Sequence, residues 1–198
     1  MLRGEMTGLR AHTEADIEIL EAELLSDVMT RVRSDSRPWR PVTPGAPDSP
    51  YRNAVDPATV VRFSVVELAT GELAGEAVMF EIDLHNRNAH IGLALRPAFR
   101  GRHLGTDLVR VLCRYGFEIR GLHRLQVDTL TDNHAMIGAA TGAGFVTEGV
   151  LRQEGWVNGT FADCLVLGQL ATEWSPAGQS PAGQSPVGQS SAGQSPDR

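Results

Sequence analysis

Apolar and polar positions along this chain fall into two regimes, one with the period of two that suits half-buried strands and one with the period near 3.6 that suits helices. Leu2 to Arg10 reads as a first strand. Thr13, with Asp16 three residues on, marks the start of a helix carrying Ile17, Leu20 and Leu24 on one face. From Ser34 to Asn53 the periodicity dissolves into prolines and polar residues around Trp39 and Tyr51, a stretch too long for a simple connector. Val61 to Leu68 alternates again, Thr70-Gly71 turns, and Leu73 to Leu84 reads as the antiparallel return. A second turn at His85 to Asn88 leads into Ile91-Gly92-Leu93-Ala94-Leu95, stopped by Pro97. Leu104, Leu108, Val111, Leu112, Tyr115 and Ile119 then share one face of a helix from Leu104 to Arg120. A strand from Arg124 to Leu130, a short helix near Asn133 to Ala143 and a hairpin with arms at about Val146 to Trp156 and Thr160 to Leu170 complete the pattern. Antiparallel strands followed by a β-loop-α-β unit predict a mixed α/β sheet.

After Trp174 the chain changes character. Ser175-Pro-Ala-Gly-Gln179 recurs from Ser180, from Ser185 and, imperfectly, from Ser190. Such a repeat has almost nothing to bury and cannot offset its ordering entropy. The expected organisation is therefore one folded domain over 1–174 and a disordered tail over 175–198.

Composition narrows the class. A chain of 198 residues that is 41% hydrophobic suits one domain with a sizeable core. It has no apolar run near ~18 residues and no charged-then-apolar leader, so a cytoplasmic protein without a membrane span is expected. Cys113 and Cys164 lack metal-ligand spacing and disulfide-rich company, and both read as reduced packing residues, with no metal expected. The formal charge is −6, and all 18 basic residues are arginine. An acidic body disfavours nucleic acid and suits an amine-bearing acceptor.

The candidate chemistry centres on Phe99-Arg100-Gly101-Arg102-His103-Leu104-Gly105-Thr106, a Gly- and Arg-rich turn between a strand and a helix. The first turn of a helix offers unpaired N–H groups and a partial positive charge, so this turn is a candidate pyrophosphate cradle. No Lys-Ser/Thr pair follows the glycines and G-x-G-x-x-G is absent, which argues against a P-loop and a dinucleotide turn. The bland alternative is a tight connection with solvated arginines.

This segment resembles the acetyl-CoA loop of the GNAT acetyltransferase superfamily, Q/R-x-x-G-x-G/A, with Arg100 and Gly105 in the first and last positions and His103 where the internal glycine is usual. Downstream, Asn133, Gly144-Phe145, Glu148-Gly149, Leu151-Arg152, Asn158-Gly159 and Asp163 are similar to the pattern of RimJ/RimL-type N-acetyltransferases. The resemblance implies a mixed, mostly antiparallel central sheet flanked by helices, whose splayed central strands, Ala89–Leu95 and Arg124–Leu130, admit the acyl-CoA arm. It implies acetyl-CoA as co-substrate, held by Arg100, Gly101, Arg102, His103, Leu104, Gly105 and Thr106. The backbone of Leu93, Ala94 and Leu95 would pair with the pantetheine and offer an oxyanion N–H, and Asn133 would hold the pantetheine or cap its helix.

The expected activity is transfer of acetyl to a primary amine, first a protein or peptide N-terminus. Antibiotic or polyamine acetylation is the alternative, and a non-catalytic acyl-CoA-binding module is a reading of another class. A homodimer is left open. An acyl group such as succinyl would need an acceptor-side arginine, for which Arg37, Arg40 and Arg52 are candidates. Three residues compete as the base that deprotonates the amine: His90, Asp128 and Glu154. For the leaving thiolate the candidates are water, Thr141 or Tyr115, since the helix after Asn133 carries no tyrosine and Met136 stands where a serine is often found.

Overall fold

The computed structural model describes residues 1–34, 38–52 and 55–175. Eight strands form one sheet in the order β1-β2-β3-β4-β5-β6-β8-β7, with β1 (Leu2–Arg3), β2 (Thr7–Arg10), β3 (Val61–Glu67), β4 (Leu73–Asp83), β5 (Asn88–Leu95), β6 (Arg124–Leu130), β7 (Val146–Val157) and β8 (Thr160–Leu170). Neighbours pair antiparallel except β5 and β6, which are parallel and joined through the helix α3 (Leu104–Arg114), as a parallel crossover requires. Around the sheet lie α1 (Glu14–Leu20), α2 (Val28–Ser34) and α4 (His134–Gly142). Both helical starts with a capping signal hold: Thr13 and Asp16 form a reciprocal capping box, and Asn133 Oδ1 accepts from the Met136 N–H.

One face of the sheet packs on α3. Leu104, Leu108, Val111 and Leu112 bury against Leu9, Val65, Met79, Ile91, Leu125 and Leu167. Ile119, expected on this face, is exposed, and Phe117 is buried in its place. The helix widens into a π-type turn over Tyr115–Ile119, and the extra residue per turn rotates the following side chains off the stripe. On the opposite face Leu20, Leu24, Leu25, Tyr51 and Leu73 form a smaller cluster.

Two further expectations need correction. Leu2 to Arg10 is a tight hairpin of two strands instead of one strand, because the Asp107 carboxylate on α3 accepts the N–H groups of Glu5, Met6 and Thr7 and the Thr7 hydroxyl, folding the chain back. In the proline-rich segment Trp39 is exposed, and the buried anchor is Tyr51, whose hydroxyl donates to Glu76 Oε1 at 2.7 Å. Burial pushes up both the phenol and that carboxyl. Trp174 packs its ring 5.7 Å from that of Phe117, closing the folded body. The expected tail lies outside the described residues from position 176 to 198, as does Arg37.

Candidate functional site

The two central strands part. β5 and β6 pair only over Asn88↔Arg124, Ala89↔Leu125 and His90↔Gln126. Beyond that point β5 stays paired with β4 as far as Leu95↔Gly75, and β6 stays paired with β8 as far as Leu130↔Cys164, so Ile91–Leu95 and Val127–Leu130 diverge as the walls of a cleft.

 The alternation that sends Ala89, Ile91, Leu125 and Val127 into the core sends His90, Gln126 and Asp128 to the other face.

At the apex of the cleft His90 Nδ1 lies 2.8 Å from Asp128 Oδ2. A carboxylate only accepts, so Nδ1 carries the proton and the lone pair of the neutral ring sits on Nε2. Gln126 Nε2 donates to both Asp128 oxygens, at 3.0 and 3.1 Å, and its own Oε1 accepts from Arg124 Nη2 at 3.1 Å. Arg124 in turn pairs with Glu148 on β7. The hydrogen bond to Asp128 raises the His90 pKa above its ordinary value against the opposing effect of burial. Burial pushes Asp128 up, but the hydrogen bonds from His90 and Gln126 outweigh it and leave the carboxyl below the usual range.

The structure thus joins two of the three candidate bases into one unit. Glu154 stands apart from it, exposed in the β7 bulge between Leu151 and Gly155. Sequence reading missed Gln126, Arg124 and Glu148, although the period-two pattern of β6 already placed Arg124 and Gln126 on the face of Asp128.

At the far end of β5 a short turn, Pro97–Phe99, leads into the Gly- and Arg-rich loop. Gly101 (φ 73°) and His103 (φ 61°) both take the left-handed conformation, so His103 reproduces the backbone shape that glycine favours. No side chain caps the N-terminus of α3, and the loop precedes it with its donors free of a capping group. The arginines are less free than the sequence suggests. Arg102 donates to both Glu67 oxygens, at 3.0 and 3.2 Å, and lies over the Phe99 ring; Arg100 donates to the Leu95 carbonyl at 3.0 Å. Gly105 serves helix packing: a Cβ there would lie 3.2 Å from that of Ala139 on α4, so substitution at this position disturbs α3 against α4.

The remaining candidates sort by position. Tyr115 is half-buried and packs edge-on against Phe63 beside the core, and the Thr141 hydroxyl donates to the Ile137 carbonyl of its own helix. Asn133 caps α4 and donates to Thr129 Oγ1 at 2.9 Å. Arg40 pairs with Asp48, and Arg52 with Glu14 and Glu21, so neither guanidinium is free for an acyl carboxylate in this state. Among the described residues no helix is long and apolar enough to cross a membrane.

The site therefore sits in a mostly antiparallel sheet whose one parallel strand pair splays beside an uncapped helix start. Residues 7–146 match the acetyltransferase (GNAT) domain, and the chain belongs to that family. It is similar to the spermidine N(1)-acetyltransferase of Vibrio cholerae, at 29% identity over 99 residues, covering 50% of this chain and 57% of that protein. It is 31% identical over 107 residues to the putative ribosomal N-acetyltransferase YdaF of Bacillus subtilis, covering 54% of this chain and 58% of that one. The matched region therefore spans less than two thirds of these relatives. Among solved structures, the Vibrio cholerae spermidine N-acetyltransferase in complex with CoA and spermine superposes with a TM-score of 0.74 at 21% identity, covering 85% of this chain and 97% of that one. A dodecameric structure of spermidine N-acetyltransferase from the same organism gives 0.67 at 22% identity, covering 85% and 95%.

Proposed function

We propose that this chain transfers an acetyl group from acetyl-CoA to a primary amine of a polyamine, with His90 as the general base and Asp128 holding its ring. The observation that carries this reading is the His90–Asp128 hydrogen bond at the apex of the splayed strands. A non-catalytic CoA-binding module has no use for a proton acceptor there. Relatives named for spermidine favour a polyamine over the protein N-terminus expected first, and the net charge of −6 suits a polycation.

The uncapped start of α3, with Gly101 and His103 in left-handed conformations, fits a pyrophosphate, and the unpaired edge of β5 at Leu93, Ala94 and Leu95 fits the pantetheine amides. Bound acetyl-CoA supplies the thioester carbonyl that the amine attacks. His90 Nε2 takes a proton from the acceptor ammonium, and Asp128 stabilises the imidazolium so formed. A β5 backbone N–H polarises the carbonyl as its oxygen gains charge. With Tyr115 packed against Phe63 and Thr141 bonded within its helix, solvent water is the proton source for the departing thiolate. Glu154 has no assigned step in this scheme.

The test is thiol release from acetyl-CoA with spermidine, spermine, an aminoglycoside and peptides beginning Ser, Ala or Met. The polyamines are expected to turn over at least about tenfold faster, in kcat/KM, than any peptide. Turnover of peptides alone, or CoA binding without turnover of any amine, contradicts the proposal.

A further inference from the structure

The pairing of β4 with β5 is regular from Gly75↔Leu95 to Phe80↔His90 and resumes only at Asp83↔Asn88. Glu81 and Ile82 therefore stand opposite Ala89 alone, and β4 carries one extra residue in a bulge. Strict alternation after Met79, which is buried, and Phe80, whose ring lies 5.4 Å from the His90 ring, would turn Glu81 into the core and Ile82 out of it. The reverse is found. Ile82 is buried with Met79, and Glu81 takes a left-handed backbone (φ 50°) that places its Oε2 3.5 Å from His90 Nε2. A glutamate adopts that conformation only at a cost, and the bulge spends it on aiming one carboxylate.

We propose that Glu81 is a specificity-determining residue, its carboxylate holding the acceptor's ammonium group against the Nε2 of His90. The proposal rests on the reading of His90 as the base. With Nδ1 committed to Asp128, the neutral ring presents a lone pair toward Glu81, and two acceptors face one another without a proton between them. An ammonium group has the donors to satisfy both. It gives one N–H to the carboxylate and another to Nε2, and the second is the proton that His90 removes. An uncharged or carboxylate-bearing acceptor gains nothing here. The other charged groups around His90 are Asp128 and Arg124, both from β6; Glu23, Glu67 and Glu148 each hold an arginine, whereas the ionic neighbour of Glu81 is the imidazole.

Glu81→Asn tests this directly, since asparagine tolerates the left-handed backbone and keeps the bulge while removing the charge. The expected result with spermidine and saturating acetyl-CoA is a KM raised about three- to tenfold, with kcat within about twofold of the parent at a pH where His90 is neutral. The rising limb of kcat/KM should also move to lower pH, and the salt dependence of KM should weaken. Glu81→Asp should recover part of the loss, and Glu81→Gly, which relieves the backbone, should melt no lower than the parent while sharing the KM defect. His90→Ala separates the two ideas. If it keeps its rate, the base assignment itself fails. If it loses its rate while Glu81→Asn keeps parental KM and salt dependence, the proposal for Glu81 is overturned.

Discussion

His90 and Asp128 share one hydrogen bond, and their opposite pKa shifts fix where it stabilises the fold. The raised His90 value contributes stability that is fully present below the unfolded ~6.5 and is lost as pH rises through the folded value above it. The lowered Asp128 value contributes stability present above the unfolded ~3.9 and lost as pH falls through the folded value below it. The pair therefore stabilises most between about pH 4 and 6.5. Asp128→Asn should lower stability by about 1 kcal/mol in that window, a figure discounted for partial exposure, and by less on either side. Thermal melts across pH check it, and a deficit that does not vary with pH contradicts the shifts. His90 and Asp128 were each legible in the sequence through their positions in the family resemblance. Their contact was not, because it depends on the parallel register of β5 and β6, set by the long crossover from Leu95 to Arg124 that no local pattern records. Glu81 was hidden for a different reason: Leu73 to Leu84 reads as one regular strand, and no glycine at position 81 signals the bulge.

At the scale of elements, the stripe of α3 and the alternation of β3 to β8 were enough to place nearly every helix and strand. The exceptions arose from long-range contacts. Asp107 sits in the first turn of α3, where a carboxylate is favoured by the helix dipole, yet its oxygens are taken up by the hairpin of β1 and β2 about a hundred residues away in sequence. Those hydrogen bonds hold the carboxyl below its ordinary value although burial pushes it up. Removing the carboxylate leaves three backbone donors and a hydroxyl without their acceptor. Asp107→Ala should cost about 2–4 kcal/mol and free the N-terminal hairpin. Denaturant unfolding measures the first and amide exchange at Glu5 to Thr7 the second; fast exchange already present in the parent would contradict the account. The π-type turn at Tyr115–Ile119 was equally invisible, since a strict 3.6 period extends the stripe to Ile119.

Across the whole molecule, one parallel strand pair in an otherwise antiparallel sheet turns a flat surface into a cleft. Antiparallel neighbours hold β5 and β6 on their outer sides, so the two strands separate while each stays anchored in the sheet, and their facing inner edges are left unpaired. Element order made the mixed sheet legible from the sequence, whereas the splay itself entered only through family resemblance. Helix α2 and the residue before it bridge the region, with Arg33 reaching Asp132 after β6 at 2.6 Å and Asp27 facing Arg100 after β5 at 4.0 Å. The cleft, the loop before α3 and the imidazole–carboxylate pair converge on one claim, that His90 takes the acceptor's proton. The pH dependence of kcat/KM for spermidine acetylation, in the parent and in His90→Ala, tests it most directly. The account predicts a rising limb above the ordinary histidine value of ~6.5, and a loss of about 10²–10⁴-fold in the variant with that limb abolished and acetyl-CoA affinity retained. A variant within about tenfold of the parent rate, with the same limb, would contradict it.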